Sequence, residues 1–159
     1  MSILRTNQIT NTAGDASPNI PGAVLQVQTA TDSTERTTTS TSFVTASNTL
    51  AVSITPKSAL SKILVTCSLS YATPSGTVSL FLSLFRNSTN LGDPTRGFGN
   101  LFDGNSLYYG HTSLQILDAP STTSTIIYQP YFRIGSGSNV GRINNTGSFS
   151  SITAMEIGG

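Results

Sequence analysis

From Leu50 onward, apolar residues recur at every second position. "TLAVSITP" puts Leu50, Val52 and Ile54 in strict alternation before Pro56 ends the run. "SKILVTCSLSYATPSG" sets Ile63, Val65, Cys67, Leu69 and Tyr71 on one face and Thr66, Ser68 and Ser70 on the other. Two is the side-chain period of extended chain, so both segments are expected to be half-buried strands, the second turned back at Pro74-Ser75-Gly76. "TVSLFLSLFR" then returns with Val78, Leu80, Leu82 and Leu84 on one face, and Phe81 and Phe85 beside Ser79 and Ser83 on the other. A strand that is apolar on both faces calls for cover on both. A core covers one face. Another subunit is the simplest cover for Phe81 and Phe85, and a loop folded over the outside is the alternative.

The remaining segments extend the pattern. "AVLQVQTATDS" opens the folded region at Ala23, with Leu25 and Val27 facing away from Gln26 and Gln28. "STERTTTSTSFVTAS" is rich in β-branched Thr and reads as a strand or edge pair anchored by Phe43 and Val44. Residues 87–111 dissolve into Gly, Asn and Asp with aromatics between them, which predicts a long and functional loop. Alternation resumes at Leu114 and Ile116, turns at Asp118-Ala119-Pro120, and continues with Ile126, Tyr128, Phe132 and Ile134 opposite Ile127, Tyr131 and Arg133. Pro130 marks an edge or bulge in that strand. "VGRIN" and "SSITAMEIG" supply two more short strands.

Eight to ten strands with turn residues between them and no helical period predict an all-β fold. The expected form is an antiparallel β-sandwich, jelly-roll-like, with an extended N-terminal segment. An immunoglobulin-like sandwich is the runner-up, without a Cys–Trp–Cys spacing to favour it. Residues 1–22 stand apart: Ile3, Leu4, Ile9 and Ile20 are scattered among polar residues, and Pro18 and Pro21 forbid a helix or central strand. The expected division is therefore an extended segment over 1–22 and a sandwich domain over 23–159.

Composition sharpens this reading. Charged residues make up 9% of the 159, net charge is +1, and 24 Ser and 24 Thr take the place of charge. Abundant β-branched residues and low charge argue against disorder. Scattered single cations leave no electrostatic footprint for nucleic acid, and no apolar run is long enough for membrane insertion. A neutral, hydroxyl-rich surface also tolerates close packing against identical copies.

Reactive chemistry is sparse. His111 is the single histidine, Cys67 the single cysteine, and no nucleophile elbow, phosphate loop or metal-ligand spacing occurs. No catalytic residue, metal or other cofactor is expected, and a glycan-processing enzyme is the least favoured reading. Cys67 reads as a small buried hydrophobe. Glu156 reads either as a solvent-facing strand end or as the partner of Arg133 or Arg86. Phe98, Phe102, Tyr108 and Tyr109 read either as a loop packed onto the sandwich or, with Asp103, Asn105 and His111, as a sugar-stacking or protein-docking platform.

The chain also resembles a family. "MSILRTNQITNTAGDASPNIPG" is similar to the opening of bacteriophage virion proteins, especially cyanophage tail-fibre and appendage proteins, with Ile9, Asn11, Gly14, Pro18, Pro21 and Gly22 at the matching places. "VLQVQTAT", "SITPKSALSKILV", "LFLSLFRNSTNLG", "LQILDAPSTTSTIIYQPYFR" and "ITAMEIGG" carry the likeness through the body, most weakly over 87–111. The resemblance implies a structural virion component, a homotrimer with a β-sandwich head. It would attach to tail, baseplate or capsid proteins through Ile3, Leu4, Ile9, Pro18, Ile20 and Pro21. On that reading Phe81 and Phe85 meet the neighbouring subunit. The candidate host-binding residues, facing a surface glycan or protein, are Phe98, Phe102, Asp103, Tyr108, Tyr109 and His111. A capsid decoration or head-tail joining protein is the alternative.

Overall fold

The computed structural model describes residues 21–73, 79–102, 107–136, 139–145 and 147–159. These residues contain no helix and form twelve strands in two antiparallel sheets of six. The protein is an all-β sandwich. The Pro74-Ser75-Gly76 turn and Val78 lie outside the described residues.

The first sheet contains β1 (Val24–Asp32), β2 (Arg36–Thr38), β5 (Lys62–Ala72), β9 (Tyr109–Asp118), β11 (Gly141–Ile143) and β12 (Ser150–Ile157). The second contains β3 (Val44–Thr45), β4 (Val52–Ile54), β6 (Leu80–Arg86), β7 (Thr89–Asn90), β8 (Gly99–Leu101) and β10 (Ile126–Ile134). Twelve elements exceed the eight to ten expected because four long strands are interrupted. β1 and β2 lie end to end against β12 and β11, which themselves lie end to end along one edge of β5. β3 and β4 share one edge of β10, and β7 and β8 share one edge of β6. The interruptions fall at residues 33–35, 46–51, 91–98 and 144–149.

The core is where the alternation placed it. Leu50, Val52, Ile54, Ile63, Val65, Cys67, Leu69, Leu80, Leu82, Leu84, Tyr128, Phe132, Ile134, Ile152 and Ala154 are buried between the sheets. Burial pushes the Cys67 thiol far above its ordinary pKa, so it packs as a small apolar group.

Four local expectations are corrected. In β1 a register shift between Val24 and Gln26 reverses the faces, so Ala30 and Asp32 turn inward and Val27 stands exposed. A slip of one residue does this to any strand. The Thr-rich stretch is a crossover and not one strand, since β2 belongs to the first sheet and β3 to the second. Residues 87–111 are not one loop, because β7, β8 and the start of β9 lie within them.

Pro130 marks no edge, for β10 is an interior strand. Its carbonyl accepts from the Ala46 amide at 2.9 Å, so the missing N–H faces the 46–51 interruption, where the neighbouring strand bows away. A proline sits inside a sheet without orphaning a ladder partner.

Candidate functional site

The eleven-residue β5 sets the long axis of the sandwich. At one end Lys62 pairs with Ile157, and beside it the Gly22 amide donates to the Gly158 carbonyl at 2.7 Å. At the other end Ala72 pairs with Tyr109. Ten residues of strand at about 3.3 Å each separate the two ends by roughly 33 Å. Pro21 and Gly22 form an exposed turn at the first end, with Gly22 at φ 78°. Ile3, Leu4, Ile9, Pro18 and Ile20 lie outside the described residues.

The far end exposes several apolar side chains to water. Phe102, Tyr108 and Tyr109 are 57%, 51% and 56% exposed, and Leu107 is exposed beside them. Tyr108 is held in place while exposed: its carbonyl accepts from the Thr73 amide at 2.9 Å, and its ring leans on Tyr71 at 6.4 Å between centroids. Asp103 and Asn105 lie outside the described residues.

Two of the residues assigned to this group sit elsewhere. Phe98 is half-buried and packed against the core, its amide donating to Leu82 O. His111 lies further along β9, on the outer face of the first sheet. His111 Nε2 lies 3.1 Å from Ser68 Oγ, an exposed contact on a flat strand face and not in a cleft that could exclude water.

The outer faces of the two sheets differ. On the second, Phe85 stacks on Tyr131 at 3.9 Å and meets Phe43 at 6.0 Å, while the Arg133 guanidinium lies 4.0 Å from the centre of the Phe81 ring. Much of the cover that Phe81 and Phe85 call for therefore comes from their own chain. Arg133 is pinned there by the carbonyls of Thr95, Thr41 and Ile134.

On the first sheet, Val27, Met155, Leu64 and Leu117 pair in register across four strands, an apolar row facing out near the Gly22 end. Next to it Thr29, Thr153, Thr66 and Gln115 form a polar row, then Thr31, Ser151, Ser68 and Ser113. Charge is scarce on these three rows.

Between the sheets lie buried polar groups that the alternation did not reveal. Three interruptions converge at Asp32, Ser47 and Asn144. Asp32 accepts from Ser47 Oγ at 2.5 Å and from the Thr34 amide at 3.0 Å, and pairs with Arg36 at 3.4 Å. Asn144, at φ 57°, donates to Thr34 O and accepts from Ser150 Oγ at 2.6 Å. Each break in a strand leaves backbone groups without ladder partners, and these short side chains satisfy them. The available signal was small: Asp32-Ser33-Thr34 and Ser47-Asn48-Thr49 are both turn-forming triplets.

At the opposite end the sheets are clasped twice. Arg86 donates to both oxygens of Asp118 at 2.9 Å, and Tyr128 Oη donates to Asp118 Oδ2 at 2.5 Å. Glu156 is fully buried, accepting from Gln26 Nε2 at 2.5 Å and from the Lys57 amide at 2.7 Å. It pairs with neither Arg133 nor Arg86, and it does not face solvent. Both alternatives from the sequence give way to a carboxylate held by uncharged hydrogen-bond donors.

Burial pushes the Asp32 carboxyl up, but hydrogen bonds from Ser47, the Thr34 amide and Thr49 outweigh it and hold the group at about 2 against 3.8. Glu156 is lowered in the same way: burial raises it, while Gln26, Ser61 and the amides of Lys57 and Ser58 more than compensate. A depressed folded-state pKa stabilises the fold above the unfolded value, and that stability is lost as pH falls through the folded value. Stability is therefore expected to hold near neutrality and to fall as pH drops from about 4.5 towards 2. Asp32 accounts for the order of 1–2 kcal/mol of this once solvent screening is allowed for. Urea midpoints measured from pH 6 to pH 2 check it, and a flat profile contradicts it.

No protein-family model matches this chain, and no curated protein matches it.

Proposed function

We propose that this chain is a bacteriophage virion protein of the tail-fibre or baseplate-associated type, held to the particle by residues 1–22 and meeting the host surface with the opposite end of the sandwich. The observation that carries the reading is polarity. The turn at Pro21–Gly22 and the exposed aromatics Phe102, Tyr108 and Tyr109 stand at opposite ends of the sandwich. Extended chain offers main-chain groups that can pair with the strand edges of neighbouring proteins, so an anchor needs no core of its own.

Strand order supports the fold expected for such a protein. With each interrupted strand counted once, the first sheet runs 1-8-3-6 and faces a second running 2-7-4-5. This is the order of a jelly roll, an architecture that serves both viral capsid and lectin domains. A homotrimer accords with the low charge and with the outward row Val27, Met155, Leu64 and Leu117, and the outer face around Phe81 and Phe85 offers a second contact. Three copies would multiply a weak attachment by avidity. The function is then geometric and not catalytic, with the virion as its place of action.

Deletion of residues 1–22 tests the anchor. The shortened protein is expected to fold with unchanged strand content and to be missing from purified particles; incorporation at the normal level overturns the proposal. Tyr108→Ala combined with Tyr109→Ala is expected to leave incorporation intact and to cut host adsorption at least about tenfold. Normal adsorption by that variant would favour a capsid decoration or joining role instead. Light scattering is expected to give three times the chain mass, and a stable monomer refutes the trimer.

A further inference from the structure

A cavity of about 520 Å³ opens on the flank of the sandwich, at the end of the edge strand β1, and is lined by Thr31, Asp32, Ser33, Thr49 and Phe149. Its volume falls in the range of small-molecule sites. Its chemistry follows from counting protons. Ser47 gives its single hydroxyl proton to Asp32, and Thr49 Oγ1 lies 2.9 Å from Ser47 Oγ. With the Ser47 proton committed, the Thr49 proton goes inward to the Ser47–Asp32 pair, and Thr49 turns lone pairs towards the cavity.

The Asp32 carboxylate at the floor is ionised and already paired with Arg36. The floor therefore offers oxygen acceptors, and none of the described lining residues is a cation that would hold an anion. At its rim Phe149 is 65% exposed, an aromatic ring held in water between the Gly147 turn and the start of β12. Hydroxyl acceptors beneath an exposed ring match a ligand with many hydroxyl donors on one side and a C–H face on the other.

We propose that this cavity binds a neutral saccharide, one sugar ring lying on Phe149 with its hydroxyls donating to Thr49 and its neighbours Thr31 and Ser33. This site stands independently of the virion reading and of the aromatic end.

The test is a titration of the full chain followed by NMR at the Phe149 ring and Thr49 methyl, with lactose, maltotriose and chitotriose as probes and N-acetylneuraminic acid as the anionic control. At least one neutral probe is expected to give saturable shifts with a Kd in the millimolar range, and the anion none. Phe149→Ala, at an exposed position that carries no fold, and Thr49→Val are each expected to weaken binding about tenfold or more. Tyr108→Ala with Tyr109→Ala is expected to leave it unchanged. The proposal is overturned by an absence of saturable shifts up to about 50 mM, by equal binding of the anion, or by undiminished binding in both Phe149→Ala and Thr49→Val. Binding lost only in the Tyr108/Tyr109 variant would also overturn it, since that result moves the saccharide to the aromatic end.

Discussion

Glu156→Ala is expected to lower stability by about 3–4 kcal/mol, among the largest effects of any single change in this chain. The carboxylate is fully buried at the end of β12 and ties the β1–β12 pair, through Gln26 and its own strand, to Lys57 of the loop before β5. Removing it leaves a cavity and strips the half-buried Gln26 amide and the Lys57 N–H of their acceptor, each loss costing on the order of 1 kcal/mol. Glu156→Gln is informative because it keeps the shape. A carboxylate accepts at both oxygens, whereas the amide must turn an NH2 towards either Gln26 Nε2 or the Lys57 amide, donor against donor. It too is expected to destabilise, and a side chain facing solvent would not. Thermal midpoints of both variants check this, with a fall of roughly 8–15 °C expected for Ala. A second readout is the acid limb: the Ala variant is expected to lose part of its pH dependence below about 4.5, because one of the depressed carboxyls is gone. Midpoints within about 2 °C of the parent would refute the role assigned to Glu156.

Gly97→Ala is expected to cost about 2–4 kcal/mol. Gly97 stands at φ 63°, where an L side chain is strained, and it lies directly over β6. A Cβ there would press on Leu82 O, far inside contact distance, and would come 2.8 Å from Ser83 Cβ. Neither side can yield easily, since Phe98 N holds the same Leu82 carbonyl at 2.8 Å and Asp93 and Gly97 exchange backbone hydrogen bonds at 2.9 and 2.8 Å. The 91–98 interruption is thus a fitted piece that seats Leu91 and Phe98 against the core. Hydrogen exchange should locate the damage, with the amides of Leu91 and Phe98 deprotected before those of β5. Unchanged protection at both amides would show that the loop is not held by this contact.

How far the sequence could be read depended on how much of each strand is covered. β5 and β12 are flanked by strands on both edges and packed on one face, so their alternation carries into burial residue by residue. β1 lies at an edge with a register shift, and nothing in Val24-Leu25-Gln26-Val27 announces which residue is skipped. Tyr109-Gly110-His111 has the composition of a turn. It is strand because Gly110 gives room to Tyr71, whose Oη would stand 2.5 Å from a Cβ at that position. Such requirements arise between residues distant in the chain, and no local pattern carries them.

The same holds for the site. The exposed end was legible as a concentration of aromatics, although Phe98 was counted with it and belongs to the core. The Asp32 cavity was not legible, because Ser47 lies fifteen residues from Asp32 on the other sheet and Phe149 comes from a third interruption. Glu156 was visible as an odd acid in an apolar strand, and the cation sought for it turned out to be an amide and a backbone N–H.

The neighbouring positions of Gly22 and Gly158 bear on how the molecule carries force. The Gly22 amide donates to Gly158 and the Gly158 amide to Ala23, so β1 and β12 leave the sandwich together. A load entering ahead of Ala23 and leaving through the aromatic end runs along β1, perpendicular to its hydrogen bonds with β12. Those bonds are then sheared as a set. A load applied between residues 22 and 158 would open the same pair one bond at a time, like a zip. The fold is strong in the first direction and weak in the second.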